Sequence, residues 1–518
     1  MSLLRAVATV GGFTMISRAT GFLRDVLIAA VLGASPLADA YFVAFKLPNF
    51  FRRLTAEGSF TVAFVPIFAG LLESDGKTIA MRFAEEAFAV MAAVLLTFTV
   101  GVILFMPEVM TVLAPGFVDT PERFDLAVEL TRVTFVYLPL ISLVALMGGV
   151  LNSIGKFAAM ASAPVLLNLI LISSLAVFAD ALDTPGHVLA WGVVVAGFAQ
   201  FLWLLEACRR SSVLPCWRLP RWTPRVASLF RLMLPAMLGA AVVQINLLVD
   251  VILASTLPTG SVSFLYYADR LNQLPLGVVG VAIGTALLPS MSRQIRAGKD
   301  HEARASQNRA LELGMLLTLP AAAGLVILAG PIVEVLFQRG AFDSQATDQT
   351  ALALAAYAVG LPAFVLIKIF QPGFFARRDT ATPVKIAAFA VVLNLILNLI
   401  LMRYYAHVGL AMATAIAAWV NMAALAMLLH RRGVYNIDQR ALLRLARTIA
   451  AVLVMALGLF GALDPLQAEL NGTSMQTAGA LALLVIGGMA VYGIAAGLFG
   501  AIRFDEVRDA LRRRAKRR

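Results

Sequence analysis

Apolar runs of membrane-crossing length, each closed by charged, glycine or proline punctuation, recur along the whole chain. An α-helix of ~20 residues spans the ~30 Å hydrocarbon core of a bilayer. Fourteen such runs are readable: 6–32, 36–72, 80–106, 126–150, 158–180, 187–207, 228–257, 262–291, 310–337, 350–374, 383–402, 408–430, 441–463 and 477–500. Only 14% of the 518 residues are charged, against ~25% in soluble domains. The ~10-residue alternating segments of an outer-membrane barrel are not present. The fold class is therefore an all-α polytopic membrane protein with 14 transmembrane helices. Segment 36–72 is too long for one straight crossing, and its interior "KLPNFFRRLTAEG" holds a proline and four charges. A bent or broken helix is expected there, where backbone faces protein or water rather than lipid.

Loop charge sets the direction. Residues 209–225 carry Arg209, Arg210, Arg218, Arg221 and Arg225; 292–310 carry Arg293, Arg296, Lys299, Arg304 and Arg309; and the tail ends "RRRAKRR". Most alternate loops, such as "GASPLADA" and "TLPTGSVS", have no Lys or Arg; Arg123, Arg339 and Arg403 are the exceptions. The positive-inside rule then places both termini in the cytoplasm. The net charge of +12 is assigned to topology and to anionic phospholipids rather than to nucleic acid. The opening "MSLLRAVATVGGFTMISR" begins like a signal peptide, but Arg18 interrupts it and retention is expected. Cys208 and Cys216, with four histidines, make no zinc constellation, so no metal site is expected. Neither HExxH nor GxxxxGK[ST] occurs, which argues against a metalloenzyme and against a bound nucleotide.

The chain resembles itself. "DVLIAAVLG" (25–33) matches "DVILASTLP" (250–258), "AYFVA" (40–44) matches "LYYAD" (265–269), and "FVPIFA" (64–69) matches "LLPSMS" (287–292). "YLPL" (137–140) matches "GLPA" (360–363), and "LLNLIL" (166–171) matches "VLNLIL" (392–397), all at offsets of 223 to 226. Six helices separate equivalent positions, so the halves are parallel repeats about an axis along the membrane normal. The expected domains are an N-lobe at 1–208, a basic cytoplasmic loop at 209–227 and a C-lobe at 228–430. A helix pair at 431–500 and a basic cytoplasmic tail at 501–518 complete the chain.

Charges inside the spans are costly, ~2.5–3.5 kcal/mol each on the lenient insertion scale. The first lobe concentrates them in its first two helices: Arg18, Arg24, Asp25, Asp39, Lys46, Arg52, Arg53 and Glu57. The second lobe has Asp250, Asp269, Arg270, Glu334 and Lys368. Several arginines around a wet cavity call for an anionic ligand, because the guanidinium fork matches phosphate with two charge-assisted hydrogen bonds. Asp25, Asp39, Glu57 and Asp269 are expected to hold those guanidiniums and limit their repulsion. The bland alternative is a set of buried ion pairs that only fix helix packing. Adjacent residues such as Arg24 and Asp25 do not face each other on a helix. Arg18 and Arg24 lie on different faces unless the helix bends at Gly21.

"SRATGFLRD", "ADAYFVAFKLPNFFRRLTAEGSFTVAFVPIFA", "GSVSFLYYADRLNQLPLGVVGVAIGTALLPSMS" and "FQRGAFDSQAT" together resemble the MurJ/MviN lipid II flippase family. That family lies within the multidrug/oligosaccharidyl-lipid/polysaccharide exporter superfamily. The resemblance covers nearly the whole chain, the last helix pair included. It implies a flippase of the bacterial inner membrane. Its cargo would be undecaprenyl-pyrophosphate-linked disaccharide-pentapeptide, moved from inner to outer leaflet for peptidoglycan synthesis. The family's cavity arginines fall on Arg18, Arg24, Arg52 and Arg270, with Arg53 adjacent. Helices 441–463 and 477–500 resemble the family's groove-forming pair, and the cell-wall synthesis machinery is an implied partner class.

Asp250, Asn394, Asn398 and Thr414 form a candidate cation site, oxygen-rich and suited to sodium. Ordinary interhelical hydrogen bonding by Asn and Thr is the alternative. The membrane potential, worth ~2.3 kcal/mol per charge per 100 mV, is a second energy source. No other cofactor and no catalytic residue is expected. A polysaccharide-lipid or drug exporter of the same fold, a membrane-embedded enzyme on lipid-linked sugars, and a structural scaffold are the competing readings. An enzyme would need a paired acid and base or a metal.

Overall fold

The computed structural model describes residues 3–54, 60–470 and 472–502. The helices in order are α1 Leu3–Leu32, α2 Pro36–Arg52, α3 Phe60–Ser74, α4 Lys77–Leu104, α5 Met106–Leu113, α6 Pro121–Phe135 and α7 Tyr137–Ser153. There follow α8 Ala158–Phe178, α9 Pro185–Arg210, α10 Pro224–Ser255, α11 Ser261–Pro275, α12 Val281–Arg296, α13 Asp300–Ile327 and α14 Ala329–Phe337. The last are α15 Ser344–Phe375, α16 Ala381–Arg431, α17 Gln439–Leu463, α18 Gln467–Leu470 and α19 Ser474–Leu498. Ten continuous helical segments among the described residues are long and apolar enough to cross a membrane. One of them, α16, contains two of the expected crossings, meeting at Ala406 (φ 46°, ψ −129°). Helices α1, α2 with α3, and α10 take the places of the other three. The protein is an all-helical multi-pass membrane protein.

In the long segment 36–72, α2 carries Pro48 and runs to Arg52 and α3 is described from Phe60; the stretch between them at 55–59 lies outside the described residues. The span read as 262–291 is also divided, which sequence periodicity did not indicate. Pro275 ends α11, and a π-helical turn at Leu276–Gly280 leads into α12. A proline lacks the N–H that the α-helical ladder needs and crowds the carbonyl four residues back; the wider turn accommodates both.

Two compact units divide the chain: Met1–Ser263 with Arg339–Asp343, and Phe264–Gln338 with Ser344–Arg518. This boundary differs from that of the sequence repeat. The first helix of the second repeat, α10, packs with the first unit, chiefly against α3. The reason lies in contacts at its end. Gly116 N donates to Ser255 Oγ at 3.4 Å, and the Asp39 carboxylate holds Gly260 and Ser263.

In the first unit α7 is the enclosed centre, with "YLPLISLVALMGGVL" buried almost throughout between α3, α4 and α9. Stacked Phe60, Phe64, Phe68 and Phe83 fill the space between α3 and α4. In the second unit α15 has the same role, packed by α13 and α16. The core there includes Met315, Ile369, Phe370, Phe374, Leu425 and Leu429. The C-terminal pair α17 and α19 docks on α13 through Met455, Leu459 and Leu484. Tyr492 Oη donates to Leu316 O at 2.6 Å, and Arg444 Nη1 donates to Glu312 Oε2 at 2.7 Å. An intramembrane polar group needs an internal partner, and these two contacts fix the depth at which the pair sits.

Candidate substrate-binding site

Helix α1 is continuous through Gly21, so no bend brings Arg18 and Arg24 to one face. Arg18 is exposed and Arg24 is buried, as the 100° helical step requires over six residues. Arg24 is held from two sides. Its Nε and Nη2 donate to Asp25 Oδ1 at 3.1 and 2.6 Å, and Nη1 donates to Asn168 Oδ1 at 2.9 Å. The adjacent pair therefore does meet, against the helix-face argument, because the long arginine stem turns back along the helix. Asn168 on α8 is in turn fixed by donating to Ser17 O at 3.0 Å and Thr20 Oγ1 at 3.3 Å. Gly21 permits this approach: a Cβ there would lie 3.2 Å from Asn168 Nδ2.

Arg52 closes α2, half-buried, with Nε donating to Asn49 Oδ1 at 3.0 Å. Asn49 Nδ2 donates to Phe45 O at 2.8 Å, which sets the amide's direction. Arg53 is exposed just beyond. Glu57, expected beside them, lies outside the described residues.

Asp39 does not support any of these arginines. It is fully buried, and its carboxylate receives Arg123 Nη2 at 2.5 Å, Gly260 N at 2.7 Å, Ser263 N at 2.9 Å and Ser263 Oγ at 2.6 Å. Arg123, read from sequence as a loop charge, also lies over the Phe117 ring, 3.8 Å from its centroid. The expectation that Asp39 lines a wet cavity is corrected: a carboxylate with four donors and no solvent exposure is a structural lock.

In the second unit Arg270 lies over the Tyr266 ring at 4.7 Å and donates Nη2 to Tyr266 Oη at 3.0 Å. The neighbouring Asp269 accepts from Gln273 Nε2. Both are one helical turn along α11, so the sequence neighbours Asp269 and Arg270 have these different partners. Asn394, Asn398 and Thr414 are brought together across the break in α16. Asn398 Nδ2 donates to Asn394 Oδ1 at 3.1 Å, and Asn394 Nδ2 to Thr414 Oγ1 at 3.4 Å. Asp250 is half-buried on α10, in the other unit. Among the described residues no three His, Cys, Asp or Glu side chains form a group able to hold a metal ion.

Sequence reasoning missed Asn168, Asn49 and Tyr266. Asn168 was readable, because the repeat aligns it with Asn394 at an offset of 226. Asn49 lies inside the quoted motif, three residues before Arg52, one turn away on a helix.

A chain of apolar membrane-crossing helices, with buried arginines held by amides and carboxylates inside spans, defines a polytopic transporter-type membrane protein. Comparison with known proteins narrows this. The lipid II flippase MurJ family profile matches residues 28–476. A probable lipid II flippase MurJ of Rhizobium meliloti is 44% identical, covering 99% of this chain and 97% of that protein. A probable lipid II flippase MurJ of Vibrio cholerae is 38% identical, covering 98% of each chain. A lipid II flippase MurJ of Burkholderia cenocepacia is 38% identical over 88% of this chain and 89% of its own. The chain belongs to the lipid II flippase MurJ family. Its fold is that of a solved lipid II flippase MurJ in an inward closed conformation, with TM-score 0.77, 23% identity and coverage of 95% and 98%. An inward-facing multidrug resistance MATE family transporter shares the fold at TM-score 0.68, 15% identity and coverage of 83% and 98%.

Proposed function

We propose that the protein carries lipid II from the inner to the outer leaflet of the bacterial inner membrane, with both termini in the cytoplasm. Relatedness to MurJ proteins over essentially the whole chain carries this reading. Arg18, Arg24, Arg52 and Arg270 are proposed to bind the pyrophosphate and head group, with Arg53, Asp25 and Asp269 beside them. The chemistry suits a diphosphate. Charge-assisted hydrogen bonds contribute ~1.5–3 kcal/mol each, and Asp25 neutralises Arg24 when no anion is present. The head group needs this polar path, while the lipid tail stays in the bilayer. Anionic phospholipids and the cell-wall synthesis machinery are proposed as further partners. The activity is transport, with no chemical conversion of the cargo.

Sodium or the membrane potential is proposed to reset the cycle. The repeat supports a cation at Asp250. Asp25 and Asp250 are equivalent at offset 225, and the position matching Arg24 is Val249. Asp250, Asn394, Asn398 and Thr414 are the oxygen-bearing residues proposed for that cation. Asp250→Asn with unchanged sodium response in a transport assay would remove the cation from the proposal.

The test of function is leaflet-resolved detection of lipid II in cells depleted of this protein and rescued with it. Rescue restores outer-leaflet lipid II, and Arg24→Ala or Arg270→Ala at wild-type abundance does not. Outer-leaflet lipid II that is unchanged by depletion would refute the reading.

A further inference from the structure

The segment joining α9 to α10 is an unusual connection. Residues 213–223, "VLPCWRLPRWT", have no regular secondary structure, and Pro215, Pro220 and Pro224 keep them extended. The segment does not extend freely outward. Glu85 of α4, buried, pairs with Arg218 and accepts Cys216 N at 3.2 Å. Glu86 accepts Thr223 Oγ1 at 2.9 Å, and Trp217 packs edge-on against Phe88 with centroids 6.2 Å apart.

These contacts fix its depth. Glu86 is the last charged residue of α4, and Ala87–Leu104 is an uncharged run of 18 residues. That run is about 27 Å long at 1.5 Å per residue, close to the hydrocarbon thickness of a bilayer. Trp217 therefore lies at the level where α4 passes from polar to apolar. This is the boundary at which tryptophan is enriched in membrane proteins. Yet Trp217 is 73% exposed, Leu219 75% and Trp222 64%. Arg209, Arg210, Arg218, Arg221 and Arg225 surround them, and all are exposed.

We propose that residues 213–225 form a strap that lies in the membrane interface and binds anionic phospholipid head groups. The tryptophans and Leu219 enter the head-group region and Arg221 contacts the lipid phosphates, while Arg218 pairs with Glu85, Arg225 with Asp75, and Arg209 and Arg210 with Glu206, each guanidinium keeping an exposed side toward the anionic surface. Glu85, through Cys216 N and Arg218, and Glu86, through Thr223 Oγ1, hold the strap at that depth and leave its outer face to the lipid. In the proposed orientation this is the cytoplasmic leaflet, but the lipid contact does not depend on that orientation or on lipid II. Charge complementarity selects the occupant: a strap of this composition would be poorly held by zwitterionic lipid alone, since each basic residue near an anionic surface contributes a separate attraction.

Cys216, exposed in the middle of the strap, is a native reporter, whereas Cys208 is buried. The full-length protein is reconstituted in nanodiscs of phosphatidylcholine, with or without phosphatidylglycerol. Alkylation of Cys216 by a water-soluble maleimide is timed in each. Phosphatidylglycerol is expected to slow it by at least about fivefold, the factor one arginine near a charged surface supplies, and high salt to restore the rate. Quenching of tryptophan emission by brominated phosphatidylglycerol is expected to exceed that by brominated phosphatidylcholine. Trp217→Phe with Trp222→Phe removes that excess. Equal alkylation rates and equal quenching in the two lipid mixtures would overturn the proposal, and the wild-type lipid exchange needs no variant to show it. Lipid II transport is not read in this experiment, so its failure leaves the proposed function standing.

Discussion

The Asp39 lock gives the sharpest test of the fold. Its carboxylate receives an arginine 84 residues away and a segment 224 residues away. Asp39→Asn removes the charge and one acceptor while keeping the shape, and it leaves Arg123 as an uncompensated cation. Breaking a buried pair from one side costs ~3–5 kcal/mol. Arg123→Met alone leaves the carboxylate with the Gly260 and Ser263 donors, so its cost should fall at the low end, ~3 kcal/mol. Replacing both removes the charge together with its partner. The double variant should lose less than the sum of the singles, with a coupling of about 2 kcal/mol. The assay is equilibrium unfolding of the purified protein in mixed micelles, run as a double-mutant cycle. Additive effects, with coupling under ~0.5 kcal/mol, would refute the view that Asp39 and Arg123 act as one buried pair.

Other consequences follow from single contacts. Asn168→Leu removes the acceptor of Arg24 Nη1 and should abolish complementation at normal abundance; wild-type growth would contradict the role given to Asn168. Gly33 has φ +63°, and a Cβ there would lie 2.3 Å from Ala341 O. Gly33→Ala should therefore cost ~2 kcal/mol or more in the same unfolding assay. Ala406, a non-glycine residue at φ 46°, should be better served by glycine, and Ala406→Gly is expected to raise stability by ~1 kcal/mol. In the loop between α15 and α16, the hydrogen bond from Arg432, with further bonds from Thr382, holds the Asp379 carboxyl down at about 2. A depressed carboxyl stabilises the fold above its unfolded value and loses that contribution as pH falls toward 2. Amide protection at this loop, measured against intrinsic exchange at each pH, should thus fall below pH ~4 in the wild type and not in Asp379→Asn.

Much of the architecture was legible because lipid imposes a length and a polarity on each crossing. The break in α16 was legible from the polar gap at 403–407. The division of 262–291 was not, since Pro275 sits in an apolar stretch and prolines elsewhere, such as Pro164 and Pro320, are carried inside continuous helices. At the site, charge inside a span marked Arg24, Arg52 and Arg270, but charge alone does not name partners. Asp39 looked like Asp25 in sequence. What separates them is which residues from distant segments come to each carboxylate, and that is decided by packing.

The repeat accounts for where those distant partners come from. Asp39 and Ser263 are 224 residues apart, within one residue of the repeat offset of 225 in this segment, so the lock ties a helix of the first repeat to nearly the matching place in the second. Two further contacts are exchanged by the same offset. A Cβ on Gly340 would lie 2.2 Å from Ala30 O, and a Cβ on Gly116 would lie 2.2 Å from Ser255 O. Ala30 matches Ser255 at 225, and Gly116 matches Gly340 at 224. All three contacts fall inside the first compact unit. A reciprocal clasp of this kind explains why packing assigns α10 and residues 339–343 to the unit built by the first repeat: the end of each repeat's first helix is capped by a glycine loop from the other repeat, and Asp39 adds a third tie through Gly260 and Ser263. Changing one glycine should then weaken one cap, while Asp39→Asn should weaken the tie to Gly260 and Ser263 and leave both caps in place.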